Sequence, residues 1–141
     1  MANVVYNSFK VNSMTGVFNL STDTLKVALV AGGYNPDIDA HVSYADIVPY
    51  EVSGVGYTTE GQTLAGVTVT NDLVNDRSVL DANDVSWVSS TITATGAVIY
   101  KVNGSPSSSP LIGYIDFSGP KSSSNGDFVI QWNASGILTL Q

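Results

Sequence analysis

Four runs of apolar and polar residues in near alternation fill the last third of the chain: TITATGAVIYKV (residues 91 to 102), SPLIGYIDF (109 to 117), NGDFVIQWN (125 to 133) and GILTLQ (136 to 141). Each is rich in β-branched and aromatic residues and is bounded by Gly, Pro, Ser or Asn, the punctuation of short strands. In the third run Phe128, Ile130 and Trp132 share one face and Val129, Gln131 and Asn133 the other. In the second, strict alternation sets Leu111, Gly113, Ile115 and Phe117 against Ile112, Tyr114 and Asp116. The first is apolar on both faces around Val98, Ile99 and Tyr100, which predicts a central strand covered on both sides.

Upstream the pattern is weaker. Residues 6 to 16 (YNSFKVNSMTG) predict one short helix, with Asn7 or Ser8 as its cap and Gly16 as its stop. LKVALVA (25 to 31) predicts a strand that ends at Gly32, Gly33, Asn35 and Pro36. In residues 37 to 50 Ser43 can cap one turn over Tyr44 to Ile47, which Pro49 then stops. A strand is expected over residues 63 to 70. Two shorter ones follow, at Val79 and Leu80 and at residues 85 to 88, about the turn Asp81-Ala82-Asn83-Asp84. The Ser-rich connections 103 to 109 and 118 to 126 read as exposed and mobile. No internal repeat and no long linker interrupt the chain. The expected architecture is therefore one all-β domain over residues 1–141: a two-layer antiparallel β-sandwich, jelly-roll-like, with one short N-terminal helix, or alternatively a barrel.

Composition narrows the function. Only 12% of the residues are charged, about half the usual share, and the net charge is −7. Arg77 is the one arginine, and the lysines are scattered, so no basic patch suits nucleic acid or an anionic membrane. Without cysteine the chain has no disulfide, thiol nucleophile or zinc-thiolate site. The first ten residues lack the charged and apolar regions of a signal peptide, and no apolar run approaches the ~20 residues of a membrane span, so a soluble product made in the cytoplasm is expected.

Candidate chemistry is sparse. His41 is the one histidine, with Asp37 and Asp39 near it, but no serine stands in a nucleophile elbow, and a surface-loop histidine is the plainer reading. Asp72, Asp76, Asp81 and Asp84 lie in two turns without a calcium-loop spacing, and Asp and Asn commonly close turns on their own backbone. Asp116 and Asp127 can be posed as a glycosidase pair, yet the chain is small for that chemistry. Asn19, Asn103 and Asn133 fit the glycosylation pattern and, without a signal peptide, read as chance. No catalytic residue, metal or cofactor is expected. Among the aromatics, Tyr34, Tyr50 and Tyr57 lie in loop sequence and are the candidates for a surface that binds a sugar or a protein.

The ordered segments LKVALV, YNPDID, YADIVPYEVSGVGYTTEGQTLAGVTVT, DANDVSW, AVIYK, SPLIGYIDF and SSSNGDFVIQWNASGILTL resemble a widespread family of small structural proteins of tailed bacteriophages and prophages. The likeness runs from Tyr6 onward and is most specific at YEVSGVGY (50 to 57) and in the C-terminal strands. It implies a virion component with no catalytic or cofactor residues. Two roles follow as expectations. One is a capsid decoration, or cement, protein that clamps the outer surface of the head as a trimer or dimer, with the major capsid protein or another virion protein as partner. The other is a tail, fibre or adsorption component that contacts the host surface.

Overall fold

The computed structural model describes residues 3–141 and is mostly β, with antiparallel sheets and one α-helix. The strands are β1 (Val4–Val5), β2 (Leu25–Val30), β3 (Gln62–Thr63), β4 (Thr68–Asp72), β5 (Arg77–Asp81), β6 (Val85–Ser90), β7 (Thr93–Lys101), β8 (Leu111–Ser122), β9 (Gly126–Ile130) and β10 (Leu138–Leu140). The helix α1 covers Asn7–Met14. A five-stranded sheet runs β1-β8-β7-β2-β3, a three-stranded sheet β10-β5-β4, and β6 pairs with β9.

β7 lies at the centre of the large sheet, between β2 and β8, as its two apolar faces require. Alternation then divides the core. Leu25, Val27, Leu29, Ala97 and Ile99 face one way and meet Leu80, Val85, Trp87, Phe128 and Ile130 from the two smaller sheets. Ala28, Val30, Val98 and Tyr100 face the other way, beneath Tyr34, Tyr44 and Ile47 from the irregular segment between β2 and β3. Trp87 is 1% exposed at the middle of the first cluster.

Four local expectations change. In β8 the alternation breaks at its start, because Tyr100 pairs with Leu111 and Ile99 with Gly113, which makes Ile112 an extra residue in a bulge. Leu111 consequently joins Tyr114 on one side, while Ile112 joins Ile115 and Phe117 on the other. The stretch 118 to 126 is not wholly a connection: β8 continues to Ser122, with Lys121 opposite Ala94 and Ser122 opposite Thr93. Pro120 is tolerated there because residues 117 to 120 have no ladder partner on β7, whose pairing steps from Gly96 opposite Asp116 to Ala94 opposite Lys121. The single strand expected over 63 to 70 is two strands in two sheets. β3 pairs with β2 and β4 with β5, and the chain crosses between them at Gly66, whose φ of +63° an ordinary strand residue does not adopt. Ser43 caps the expected turn, which ends at Asp46, but Pro49 does not bar helical backbone after it: Pro49 lies in a second 3₁₀ turn over Val48–Tyr50, since a missing N–H is harmless in a first turn.

The helix stands where it was expected, but Tyr6 occupies the cap position with no side-chain bond, so neither Asn7 nor Ser8 caps it. The chain turns away at Gly16 after Thr15. The Ser-rich connection before β8 forms a 3₁₀ turn at Pro106–Ser108, in which Ser109 Oγ donates to the Ser105 carbonyl at 2.9 Å. Among the described residues no helix is long and apolar enough to cross a membrane.

Candidate functional site

Two features of the fold gather unusual residues, one on each side of the five-stranded sheet. The first is a layer of tyrosines. Ala28, Val30, Val98 and Leu111 give it an apolar floor. Tyr44 stacks on Tyr100 with ring centroids 4.7 Å apart, and Tyr34 meets Tyr114 at 5.5 Å and Tyr50 at 5.1 Å. A buried phenol needs a partner for its hydroxyl, and Tyr6, Tyr34, Tyr44 and Tyr100 have each found one. The Tyr6 and Tyr34 hydroxyls bond each other at 2.7 Å, and Tyr34 Oη lies 2.9 Å from His41 Nδ1. The Asp37 N–H also donates to that nitrogen, at 3.2 Å, which marks Nδ1 as the acceptor. Tyr100 Oη donates to the Glu60 carbonyl at 2.7 Å.

At the edge of this layer sits Glu51, a residue that sequence reasoning passed over. The Tyr44 hydroxyl donates to its Oε1, the Tyr57 hydroxyl to its Oε2 at 2.6 Å, and the Glu60 N–H to Oε2 at 2.9 Å. Tyr57 Oη in turn accepts the Leu29 N–H at 3.1 Å, so one carboxylate ties the irregular segment to the edge of β2. The segment can approach so closely because it carries Gly61. A Cβ there would lie 1.9 Å from the Val27 carbonyl oxygen, and φ is +79°. The one available signal was the spacing of Glu51 between Tyr44 and Tyr57 in a glycine-rich loop, which strand or helix periodicity does not register.

Burial raises the pKa of these phenols. Tyr34 is pushed up to about 12, chiefly by desolvation. Tyr6 and Tyr100 rise further by desolvation, and Tyr44 and Tyr57 by desolvation together with their bonds to Glu51. All are neutral donors at physiological pH, which suits cohesion and gives no poised acid or base.

The three tyrosines expected at the surface therefore divide. Tyr34 is 3% exposed and Tyr57 half-buried against Trp87, with ring centroids 6.0 Å apart, and both spend their hydroxyls internally. The expectation of a surface role is corrected for these two. Lying in loop sequence does not expose a residue when the loop is itself a packed layer. Tyr50 does reach solvent, at 38% exposure.

The second feature is an open apolar cleft of about 550 Å³ between β8 and β9. Its walls include Ile115 and Phe117 from β8, Phe128 and Ile130 from β9, and Trp132 and Ile137 beyond it. Among the described residues β9 pairs only with β6, so its other edge flanks this apolar hollow. Trp132 is fixed by its Nε1 donating to the Asn83 carbonyl at 2.9 Å and its N–H to Asp84 Oδ1 at 3.0 Å. Lys121 and Asp127 stand at the rim.

The remaining candidates take structural positions. His41 is occupied by Tyr34 and Asp37, and no serine hydroxyl bonds it among the described residues. Asp72 accepts from Asn75 and Arg77, Asp81 from the Ala82 N–H, and Asp84 from Trp132. Among the described residues no three His, Cys, Asp or Glu side chains converge as a metal site would require. Of the posed carboxylate pair, Asp127 lines the cleft and Asp116 does not. Comparison with known protein families, with characterised proteins and with solved structures finds no match to this chain.

Proposed function

We propose that this protein is a non-catalytic structural component of a tailed-bacteriophage virion, a decoration protein that binds the outer surface of the head and stabilises it by adding buried interface. The observation that carries the reading is a surface suited to contact rather than chemistry. An apolar cleft lies open between β8 and β9, and the β4–β5 hairpin ends in Leu73 and Val74, which are 81% and 91% exposed. Exposed apolar groups of this kind mark interaction sites, and in a symmetric assembly they are covered by neighbours. The low charge content fits the same picture. So does a two-layer β-sandwich, the architecture expected from sequence, in which we take the five-stranded sheet as one layer and the two smaller sheets as the other. The jelly-roll winding of that sandwich is part of the proposal.

The proposed partners are the major capsid protein or another virion protein and further copies of the chain. The adsorption reading, in which loop tyrosines bind host glycans, has weaker support, since Tyr50 alone of the three candidates presents its ring to solvent. Quantitative mass spectrometry of purified virions, with a cryo-EM reconstruction, tests the choice. Hundreds of copies on the head, and a lower rupture temperature for heads lacking the protein, are expected. A few copies at the tail would transfer the role to adsorption, and absence from virions would end the virion reading.

A further inference from the structure

The β4–β5 hairpin is built against ordinary turn chemistry. Its ends are clamped by Asp72, whose carboxylate accepts from Asn75 Nδ2 at 2.7 Å and from Arg77 Nε at 3.0 Å. Those bonds hold the Asp72 carboxyl below its usual range, Asn75 first and Arg77 after it. Polar residues normally fill such a tip, because its side chains face water. Here the clamp instead presents Leu73 and Val74 outward, where they contribute nothing to the fold. The hairpin is also poorly covered behind its tip: Thr68, Val69, Thr70 and Asn71 are all exposed. A rigid, preorganised apolar knob loses little freedom on docking, which is the condition for tight association through a small contact.

The tip does not belong in its own chain's cleft. The cleft wall joins the hairpin where the Ile137 N–H donates to the Leu80 carbonyl at 2.7 Å. From Leu80 the paired strands run outward past Ser78, opposite Leu140, before the tip is reached. Three residues of β5 at about 3.3 Å each, with the turn beyond Arg77, place the tip more than about 10 Å from that wall.

We propose that the occupant of the cleft is a second copy of this chain, its Leu73 and Val74 inserted between β8 and β9. The inference rests on the assembly part of the reading above and names the surfaces. Charge supports the pairing. The cleft rim carries Lys121, which makes no ion pair among the described residues, and Asp127; the tip carries Asp76 and Arg77. Lys121 facing Asp76 and Asp127 facing Arg77 are complementary, so register is favoured as well as contact. Knob and hole lie on different parts of the surface. The contact is therefore heterologous: it makes a reciprocal pair or a ring of copies where the rotation closes, and an open filament where it does not.

The absence of cysteine makes the test clean. Leu73→Cys and Asn133→Cys variants, the latter at the cleft wall, are purified separately, then mixed and oxidised. A disulfide-linked dimer is expected from the mixture and from neither variant alone. Analytical ultracentrifugation should show an oligomer for the wild type and a monomer for Leu73→Asp with Val74→Asp, with unchanged circular dichroism. Lys121→Asp and Asp76→Lys should each weaken the oligomer at least tenfold, and the double exchange should restore it. Self-linking of Leu73→Cys, a monomeric wild type, or an oligomer indifferent to Leu73→Asp would each overturn the proposal. Virion copy number is read separately. A protein that oligomerises this way but is absent from virions loses the phage reading and keeps the interface; one abundant in virions yet monomeric loses the interface alone.

Discussion

The two sides of the five-stranded sheet solve the same problem by opposite means. Both must cover an apolar face of β2 and β7. On one side the cover is a loop layer of tyrosines, sealed by hydroxyl bonds to His41, Glu51 and backbone carbonyls. On the other it is two small sheets that supply Trp87, Phe128 and Ile130 and stop short of closure, leaving the cleft. Loop backbone can be buried only if its polar groups are satisfied, so the first side depends on specific bonds. The second depends on volume and exclusion of water, and where packing runs out it stays open to a partner.

The largest test of that contrast is a cavity. Trp87→Ala is expected to cost about 3–5 kcal/mol by urea unfolding, because transfer and cavity terms add. Trp87 Nε1 has no hydrogen-bond partner among the described residues, so losing its N–H leaves nothing orphaned. Trp87→Phe should accordingly be much milder than Trp87→Ala, in proportion to the volume removed. Equal costs for the two would show that the site is not governed by volume.

The hydroxyl network around Glu51, at the margin of the tyrosine layer, should respond in the opposite sense, to deletion of single oxygens with almost no change in volume. Tyr57→Phe orphans the Leu29 N–H and removes one donor to Glu51, and about 1–3 kcal/mol is the expected loss. Glu51→Gln leaves a Tyr hydroxyl or the Glu60 N–H without its acceptor and should cost a similar amount. A Tyr57→Phe, Glu51→Gln double-mutant cycle should be strongly non-additive, since the two side chains share one network. Additive losses would mean that the bonds do not act as a unit.

A smaller and more distributed effect is the response to alkali. The tyrosines of the sealed side have folded-state pKa values above the ~10 of an unfolded chain, with Tyr34 at about 12. Below about pH 10 both states keep these protons and the contribution to stability is constant. Above it the unfolded chain releases protons that the folded protein retains, so stability falls as pH rises. Urea midpoints measured across that window should decline, and Tyr34→Phe should flatten the decline. A flat wild-type profile would contradict the buried, neutral phenols.

These differences also explain what could be read from sequence. Period-two alternation made β9 legible, and the doubly apolar run made β7 recognisable as central, because both patterns come from burial alone. It failed at Ile112, where one extra residue in a bulge inverts the faces, and at Gly66, where the chain leaves one sheet for another. The tyrosine layer was misread for a different reason. Loop composition signals irregular backbone and carries no information on whether that loop packs, and the partners of Tyr34 and Tyr57 lie 28 residues away in sequence, at Tyr6 and Leu29. The cleft was invisible because it exists only between strands of different sheets.

The smallest expected effect on folding is the sharpest test of the open side. Leu73→Ser with Val74→Ser should change stability by no more than about 0.5 kcal/mol, the usual range for exposed positions. The Asp72 clamp uses Asn75 and Arg77 and neither of these side chains, so the turn should persist. A destabilisation well beyond that range would show that the tip packs against its own chain, contrary to its exposure. An unchanged melting curve, together with lost self-association, would separate folding from assembly at two residues. The hydroxyl-bonded tyrosines of the sealed side offer no such separation, because the groups that give that layer its shape also hold it together.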